Sequence, residues 1–288
     1  MLPQILFSGV ALGSIYGLVA LGFALVFKAT DVLNFAQSMF VCIGAYLAVT
    51  GATLLHLPFA ATVVFVLAGA AVVGALIQAM LIRPLTGRPV LAIIMVTIAL
   101  SIVLRAAVEM AYGPQPRVLE TPLPTGATVV AGIRVSQLHL LAAAVSWTCV
   151  GAFALFFRFT SFGLQMRATA NGHEAALVSG INVERVNRVA WAIGSMLAAI
   201  GGLFLGQLQL ASTELEGAGL LALPAVVIGG LQSIPGALVG GLMVGVIEQL
   251  AASYVSPRAS DVFVYVLLLV VLMVRPWGLF GQRELGRV

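Results

Sequence analysis

An all-α integral membrane protein, a polytopic helical bundle of eight or nine transmembrane segments with room for one short re-entrant or broken helix, is the fold class this sequence predicts. Three observations lead there. The residues are 61% hydrophobic and only 8% charged, with a mean hydropathy of +1.12, whereas soluble domains carry about 25% charged residues. Apolar runs of about 20 residues, each long enough to cross a hydrocarbon core of about 30 Å as a helix, recur from end to end. These runs are rich in Leu, Ala and Gly and lack the two-residue alternation of a membrane barrel, so helices must satisfy the backbone within each segment.

In chain order the expected spans are 4–27, 33–55, 58–82, 90–112, 135–157, 187–210, 220–231, 235–254 and 261–274, within one transmembrane domain covering 1–288. The seventh is short enough to be re-entrant or broken, an arrangement tolerated only where protein or a water-filled cavity shields its ends. The first span has no basic segment before it and no small-residue cleavage pattern after it, so it reads as a retained helix. Cys42 and Cys149 both fall inside apolar runs and read as small hydrophobes, with no disulfide or metal site implied.

Cationic residues set the expected orientation, because Lys and Arg in short loops accumulate on the cytoplasmic side. With the 158–187 loop inside, Lys28, Arg83, Arg88, Arg158, Arg167, Arg185, Arg188, Arg275, Arg283 and Arg287 lie inside, and Arg117, Arg134 and Arg258 outside. The N-terminus is then external and the C-terminus cytoplasmic, provided that the short seventh segment crosses. The net charge of +4 does not point to nucleic acid, because the Arg residues form no basic stripe with interleaved aromatics.

Several features lie on this scaffold. Gly9, Gly13 and Gly17, the series Gly194, Ala198, Gly202 and Gly206, and the pairs Gly236/Gly240 and Gly241/Gly245 each put small residues on one helical face. Close helix packing is the first reading of them, and transport hinges the second. Asn34 and Gln37, three apart at the start of the second span, should share a face as a cap, as an interhelical hydrogen bond, or as lining of a solute path. Arg105 and Glu109, four apart, can form an internal ion pair. Glu248 has no evident partner and reads equally as a structural hydrogen bond or as part of the path.

Two loops exceed turn length. The outer one, 113–134, carries Pro114, Pro116, Pro122 and Pro124 and then Thr128-Val129-Val130, which suggests extended chain and a small hairpin. The inner one, 158–187, holds good helix formers from Glu174 to Ser179 followed by Gly180, a natural C-terminal cap. So short a helix is unstable alone, which implies a surface to dock on, either its own bundle or a partner.

At this loop the sequence resembles a known family. Glu174-Ala175-Ala176 followed by Gly180 is similar to the Glu-Ala-Ala-x-x-x-Gly core of the cytoplasmic loop of ABC importer permeases, although the Ile-x-Leu-Pro tail is missing. Arg167-Ala168, Ala175-Ala176, Gly180-Ile181-Asn182-Val183 and Arg185, in this order, resemble the branched-chain amino acid permeases of the LivH type. The likeness extends to the Gly13 to Gly22 segment, Asn34-Phe35-Ala36-Gln37 with Gly44-Ala45-Tyr46, Gly229-Gly230, Pro235-Gly236-Ala237, Gly240-Gly241, Glu248, and Arg275-Pro276-Trp277-Gly278-Leu279-Phe280-Gly281.

The resemblance implies a multi-pass inner-membrane subunit that imports hydrophobic amino acids delivered by a periplasmic binding protein. It further implies a second, dissimilar permease subunit and two cytoplasmic ATPase subunits, which use ATP and Mg. This chain binds no cofactor and is not an enzyme by that reading: it has no Gly-x4-Gly-Lys-Ser/Thr loop, and Lys28 is its only lysine. Arg167, Ala168, Glu174, Ala175, Ala176, Gly180 and Ile181 would couple to the ATPase. Tyr16, Asn34, Gln37 and Glu248 are the candidates for the translocation path, and the outer loop for the binding-protein contact.

Related permeases could carry urea, short amides or a sugar instead. A gradient-driven secondary transporter would need a midplane ion site, for which only Glu109 and Glu248 are available. A membrane enzyme is disfavoured because His56, His139 and His173 are far apart and no Gly-x-Ser-x-Gly turn occurs.

Overall fold

A computed structural model describes residues 2–124, 126–130 and 132–281. Helices dominate: α1 (Leu2–Thr30), α2 (Gln37–Val49), α3 (Phe59–Ile77), α4 (Val90–Tyr112), α5 (Gln137–Phe159), α6 (Ser161–Asn171), α7 (His173–Val178), α8 (Val183–Gln209), α9 (Leu215–Leu220), α10 (Ala222–Gly229), α11 (Ile234–Tyr254) and α12 (Ser260–Val274). α2 and α3 each run on into a wider π-helical turn, Thr50–Leu54 and Gln78–Ile82 respectively. Among the described residues seven helices are long and apolar enough to cross a membrane, and two shorter apolar stretches, Leu215–Gly229 and Ser260–Val274, accompany them.

The long helices form a centre and a periphery. α1 packs against α11, α8 and α5, and α2 lies along α8. The glycines create this centre. A Cβ on Gly241 would strike the backbone of Gly17, and one on Gly245 the backbone of Gly13. A Cβ on Gly13 would sit 2.8 Å from the Gly241 carbonyl oxygen, and one on Gly202 would meet Val41 O. The packing reading of the small-residue faces therefore holds: with no side chain between them, the backbones approach closely enough for dispersion to bind helices that lipid would solvate equally well. α3, α4, α5 and α12 surround this centre and leave large apolar side chains such as Leu91, Ile102, Leu155 and Leu269 exposed.

Local sequence explains the helix starts. Pro58 and Pro89 precede α3 and α4 in extended conformations, and the Ser233 hydroxyl accepts a hydrogen bond from Gly236 N (3.1 Å) at the head of α11, where Pro235 occupies the first turn. The outer loop contains the expected hairpin: β1 (Ala127–Val130) pairs antiparallel with β2 (Ile133–Ser136). Arg117 fastens the loop to the end of α8 through two backbone hydrogen bonds with Ala211, at 2.8 and 2.9 Å.

The expected seventh span, 220–231, is α10, and Leu221 joins it to α9 with helical backbone angles, so that one short apolar stretch, Leu215–Gly229, starts near the Arg117–Ala211 contact and ends beside the C-terminal tail. The tail motif 275–281 explains its own presence here. Leu279 N and Phe280 N donate to Ile228 O (2.8 Å) and Gly229 O (3.0 Å), satisfying carbonyls that the end of α10 would leave orphaned. Lys28, Arg83, Arg88, Arg158, Arg167, Arg185, Arg188 and Arg275 sit at one end of the bundle, called here the Arg-rich end. Arg283 and Arg287, also expected there, lie outside the described residues.

Two sequence expectations need correction. Asn34 and Gln37 do not share a helical face, because α2 begins only at Gln37 and Asn34 lies in the preceding turn. The inner loop is mostly helical: α6, unforeseen, fills 161–171 ahead of the expected short helix.

Candidate functional site

Two polar groups are buried in the central helices, and a helical bracket closes the Arg-rich end. The first polar group joins α1, α2 and α8. Gln37, fully buried, donates through Nε2 to the carbonyl oxygen of Gly194 at 2.8 Å, and its Oε1 accepts from Asn34 Nδ2 at 3.3 Å. Asn34 Oδ1 in turn accepts from Ala36 N at 3.1 Å and closes the turn before α2. Gly22 leaves room for this arrangement: a Cβ there would come 2.5 Å from Gln37 Nε2 and 2.8 Å from Gly194 O. The expected interhelical bond is therefore present, whereas α2 has no side-chain cap: Asn34 closes the turn that precedes the helix instead.

The second group lies on the α1–α11 seam. Tyr16 Oη and Glu248 Oε2 are both sealed from solvent and lie against each other as hydrogen-bonding partners across the seam. Glu248 thus has a neighbour that its own helix does not reveal. Pairing of this kind is what a buried carboxyl needs in an apolar bundle.

Arg105 and Glu109 pair as expected (3.1 Å), but the pair is not internal. About half of the Arg105 side chain, 47%, is exposed, and its other arm reaches Glu216 of α9 at 3.3 Å. Glu216 is 111 residues away in sequence, beyond the reach of any local pattern.

The bracket at the Arg-rich end is built from α5 to α8. Thr160 Oγ1 accepts from Gly163 N (3.0 Å) and starts α6, whose Gly163 and Met166 are buried against the bundle. Arg167 donates to the carbonyl oxygens of Phe157 and Arg158, and its guanidinium lies over the Phe157 ring, 5.5 Å from the centroid. This Arg therefore ties α6 to the end of α5. Ala168, next to it, is half-buried.

α7 follows after Gly172 and is closed at its end by Gly180. With φ at +79°, Gly180 donates from its N to Leu177 O (3.0 Å) while Ile181 N donates to Ala176 O (3.0 Å), the paired bonds of a Schellman cap. A side chain would strain that left-handed backbone, which is why Gly stands here. Asn182 then caps α8 by accepting from Arg185 N at 3.0 Å, and Arg83 holds Glu184 at 2.9 Å.

The consequence is a short helix held at both ends with one face against the bundle. Ala176 is buried, while Glu174 and Ala175 are exposed, Leu177 is 59% exposed and Val178 is 91% exposed. Leu177 and Val178 thus form a short apolar edge beside Glu174 and Ala175 on the outward side of α7. The apolar character of Leu177 and Val178 was visible in the sequence, but their outward direction was not.

Comparison with known proteins accords with this geometry. The family described as "Branched-chain amino acid transport system / permease component" matches residues 5–272. The high-affinity branched-chain amino acid transport system permease protein LivH of Escherichia coli (strain K12) is 32% identical over 304 residues, covering 99% of this chain and 97% of that protein. The corresponding BraD protein of Pseudomonas aeruginosa is 31% identical over 303 residues, with 99% and 97% covered. Among solved structures, PsaBC from Streptococcus pneumoniae in complex with Fab has a similar fold, with a TM-score of 0.50 at 12% identity over 96% of this chain and 93% of that one. A glycine-seamed membrane bundle, a capped helix at its Arg-rich end and these full-length matches together place the chain in the branched-chain amino acid transport system permease family.

Proposed function

We propose that this chain is the membrane-spanning half of an ATP-driven importer of aliphatic amino acids, with the Arg-rich end and the C-terminus in the cytoplasm. A binding protein on the outer side delivers the solute, a second and dissimilar permease completes the pore, and two cytoplasmic ATPase subunits use ATP and Mg. The orientation follows from the cation distribution. The substrate class follows from the named activity of the full-length relatives.

The observation that carries the reading is the exposed face of α7, Glu174, Ala175, Leu177 and Val178, on a helix fixed by Gly180 and Asn182. ATP binding draws the two ATPases together, and a docked α7 transmits that displacement through α6 and α8 to the central helices. Arg167 is a positioning residue in this scheme, since its donors are engaged on α5. Ala168 and Ile181 likewise set the position of α7, whereas Glu174 and Ala175 touch the ATPase.

The four path candidates divide in the same way. Asn34 and Gln37 are satisfied within the chain and position α2 on α8. Tyr16 and Glu248 face each other on the α1–α11 seam and, with no backbone tie of the kind that holds Gln37, are the better candidates to exchange partners with a polar solute group in passing. A mostly apolar path with few polar groups suits transient passage, and ligand-driven switching requires only that the two states differ in affinity.

The test is to change Glu174→Arg and Gly180→Val in the assembled complex and to follow binding-protein-stimulated ATP hydrolysis together with leucine uptake. Both variants are expected to lose stimulation and uptake together while the complex still assembles. Normal coupling in both would discredit the role of α7, and uptake by this chain alone without ATP would discredit the importer reading.

A further inference from the structure

Apart from Tyr112 at its end, α4 carries its polar residues on one ridge: Thr97, Ser101, Arg105 and Glu109 recur at every fourth position, along a single i, i+4 row of the helix. Such a row winds slowly about the axis, and burial falls along it. Thr97 is 0% and Ser101 8% exposed, whereas the side chains of Arg105 and Glu109 are 47% and 38% exposed. Toward the Arg-rich end, Thr97 Oγ1 accepts a hydrogen bond from Phe35 N (3.3 Å), in the turn that holds Asn34. Toward the other end, Arg105 joins Glu109 (3.1 Å) to Glu216 of α9 (3.3 Å). Gly217, next to Glu216, is exposed, and a Cβ there would meet nothing within 4 Å.

The depth of this trio decides what can cover it. Arg105 stands seven residues before Tyr112, about 10 Å inside the end of α4. Helical Cβ atoms tilt toward the helix N-terminus, here the Arg-rich end, so the Arg105 side chain sets out away from the near membrane surface. Lipid does not cover a half-exposed guanidinium and carboxylate at such depth, where charges face protein or a water-filled cavity. Two carboxylates share one guanidinium, so an apolar helix laid over them would bury an unpaired negative charge, whereas water keeps it hydrated. Val103, two residues from Arg105 and 62% exposed, turns with Met110 to the opposite side of α4, which is apolar and suits lipid.

We infer that the Arg105, Glu109 and Glu216 face of α4 and α9 is the wall of a water-filled outer half of the solute path, which the ridge leads down to the turn holding Asn34. Asn34 and Gln37 are buried, and Tyr16 Oη and Glu248 Oε2 are sealed. This face supplies the opening to water that those four residues lack. The inference rests on the import function proposed above and on its orientation.

The experiment uses the complete complex in right-side-out vesicles loaded with ATP, with the leucine-loaded binding protein outside and the native thiols removed by Cys42→Ala and Cys149→Ala. A membrane-impermeant cationic thiosulfonate is added outside to complexes carrying one new cysteine each. Arg105→Cys and Gly217→Cys are expected to react at least about tenfold faster than Val103→Cys, because a thiol ionises in water and not in lipid. The adduct at Gly217→Cys is expected to abolish leucine uptake. Gly217→Cys, whose side chain enters open space, keeps the comparison valid even where Arg105→Cys does not assemble. Equal reactivity at the ridge and at Val103→Cys, or full modification of Gly217→Cys without loss of uptake, would overturn the inference. Protection of Arg105→Cys and Gly217→Cys in the assembled complex but not after its dissociation in detergent would also overturn it, by assigning the face to the second permease. Absence of ATP-driven leucine uptake before labelling would count against the proposed function instead, since the labelling pattern does not depend on the solute.

Discussion

α1 and α4 are both long, strongly apolar helices, yet they occupy opposite environments. The most apolar stretch of α1 is 89% buried inside the protein, while that of α4 is 22% buried. Hydropathy therefore identifies a helix that can lie in a membrane without saying whether protein or lipid surrounds it. The distinction lies in the small residues: α1 carries Gly9, Gly13, Gly17 and Gly22, each facing a backbone or side chain of another helix, and α4 contains no glycine. In lipid, where apolar side chains gain nothing by leaving the solvent, close backbone contact and buried hydrogen bonds determine which helices form the centre.

The sharpest way to break this comparison is to fill the seam. Gly241→Leu places a side chain against Gly17 and Gly13, and overpacking there is expected to cost about 3 kcal/mol or more, seen as lost yield or a large fall in Tm in detergent. Val103→Leu on the exposed face of α4 is expected to leave Tm unchanged. Equal effects at the two sites would mean that the glycine seam does not define the centre.

A smaller effect is expected from the polar link. Gln37→Leu removes the bond to Gly194 and strands Asn34 Nδ2, which should cost about 1–3 kcal/mol, measured as a shift in the thermal midpoint. The smallest effect belongs to the half-exposed ion pairs. Arg105→Ala should change stability by at most about 1 kcal/mol, and a larger loss would show that its link to Glu216 anchors α9 more firmly than its exposure indicates.

The pattern of what the sequence revealed follows from the range of the interactions. Local features were legible: seven of the nine expected spans as long apolar helices, the Ala127–Ser136 hairpin, the Arg105–Glu109 pair, and the cap at Gly180, all set by sequence-local patterns. Long-range partners were not. Nothing near Gln37 names Gly194, 157 residues on, and nothing near Arg105 names Glu216. α6 escaped notice because its sequence is polar and opens with Ser161, Phe162 and Gly163; the Thr160 cap and the Arg167 link to α5 make it a helix. The latch of Leu279 and Phe280 on α10 is likewise a backbone contact, with no side-chain signature to read. Of the candidate site, the position of α7 could be read in advance, whereas the outward direction of Leu177 and Val178 depended on the packing of Ala176.

The central claim is that α7 hands the motion of a nucleotide-hydrolysing partner to this bundle. It is tested most directly by placing a cysteine at its most exposed position, Val178→Cys, and oxidising the working complex with each ATPase subunit carrying a single groove cysteine. A disulfide that forms in high yield and stops leucine uptake until it is reduced is the expected result. Absence of any cross-link to the ATPase in a complex that transports normally would contradict the account.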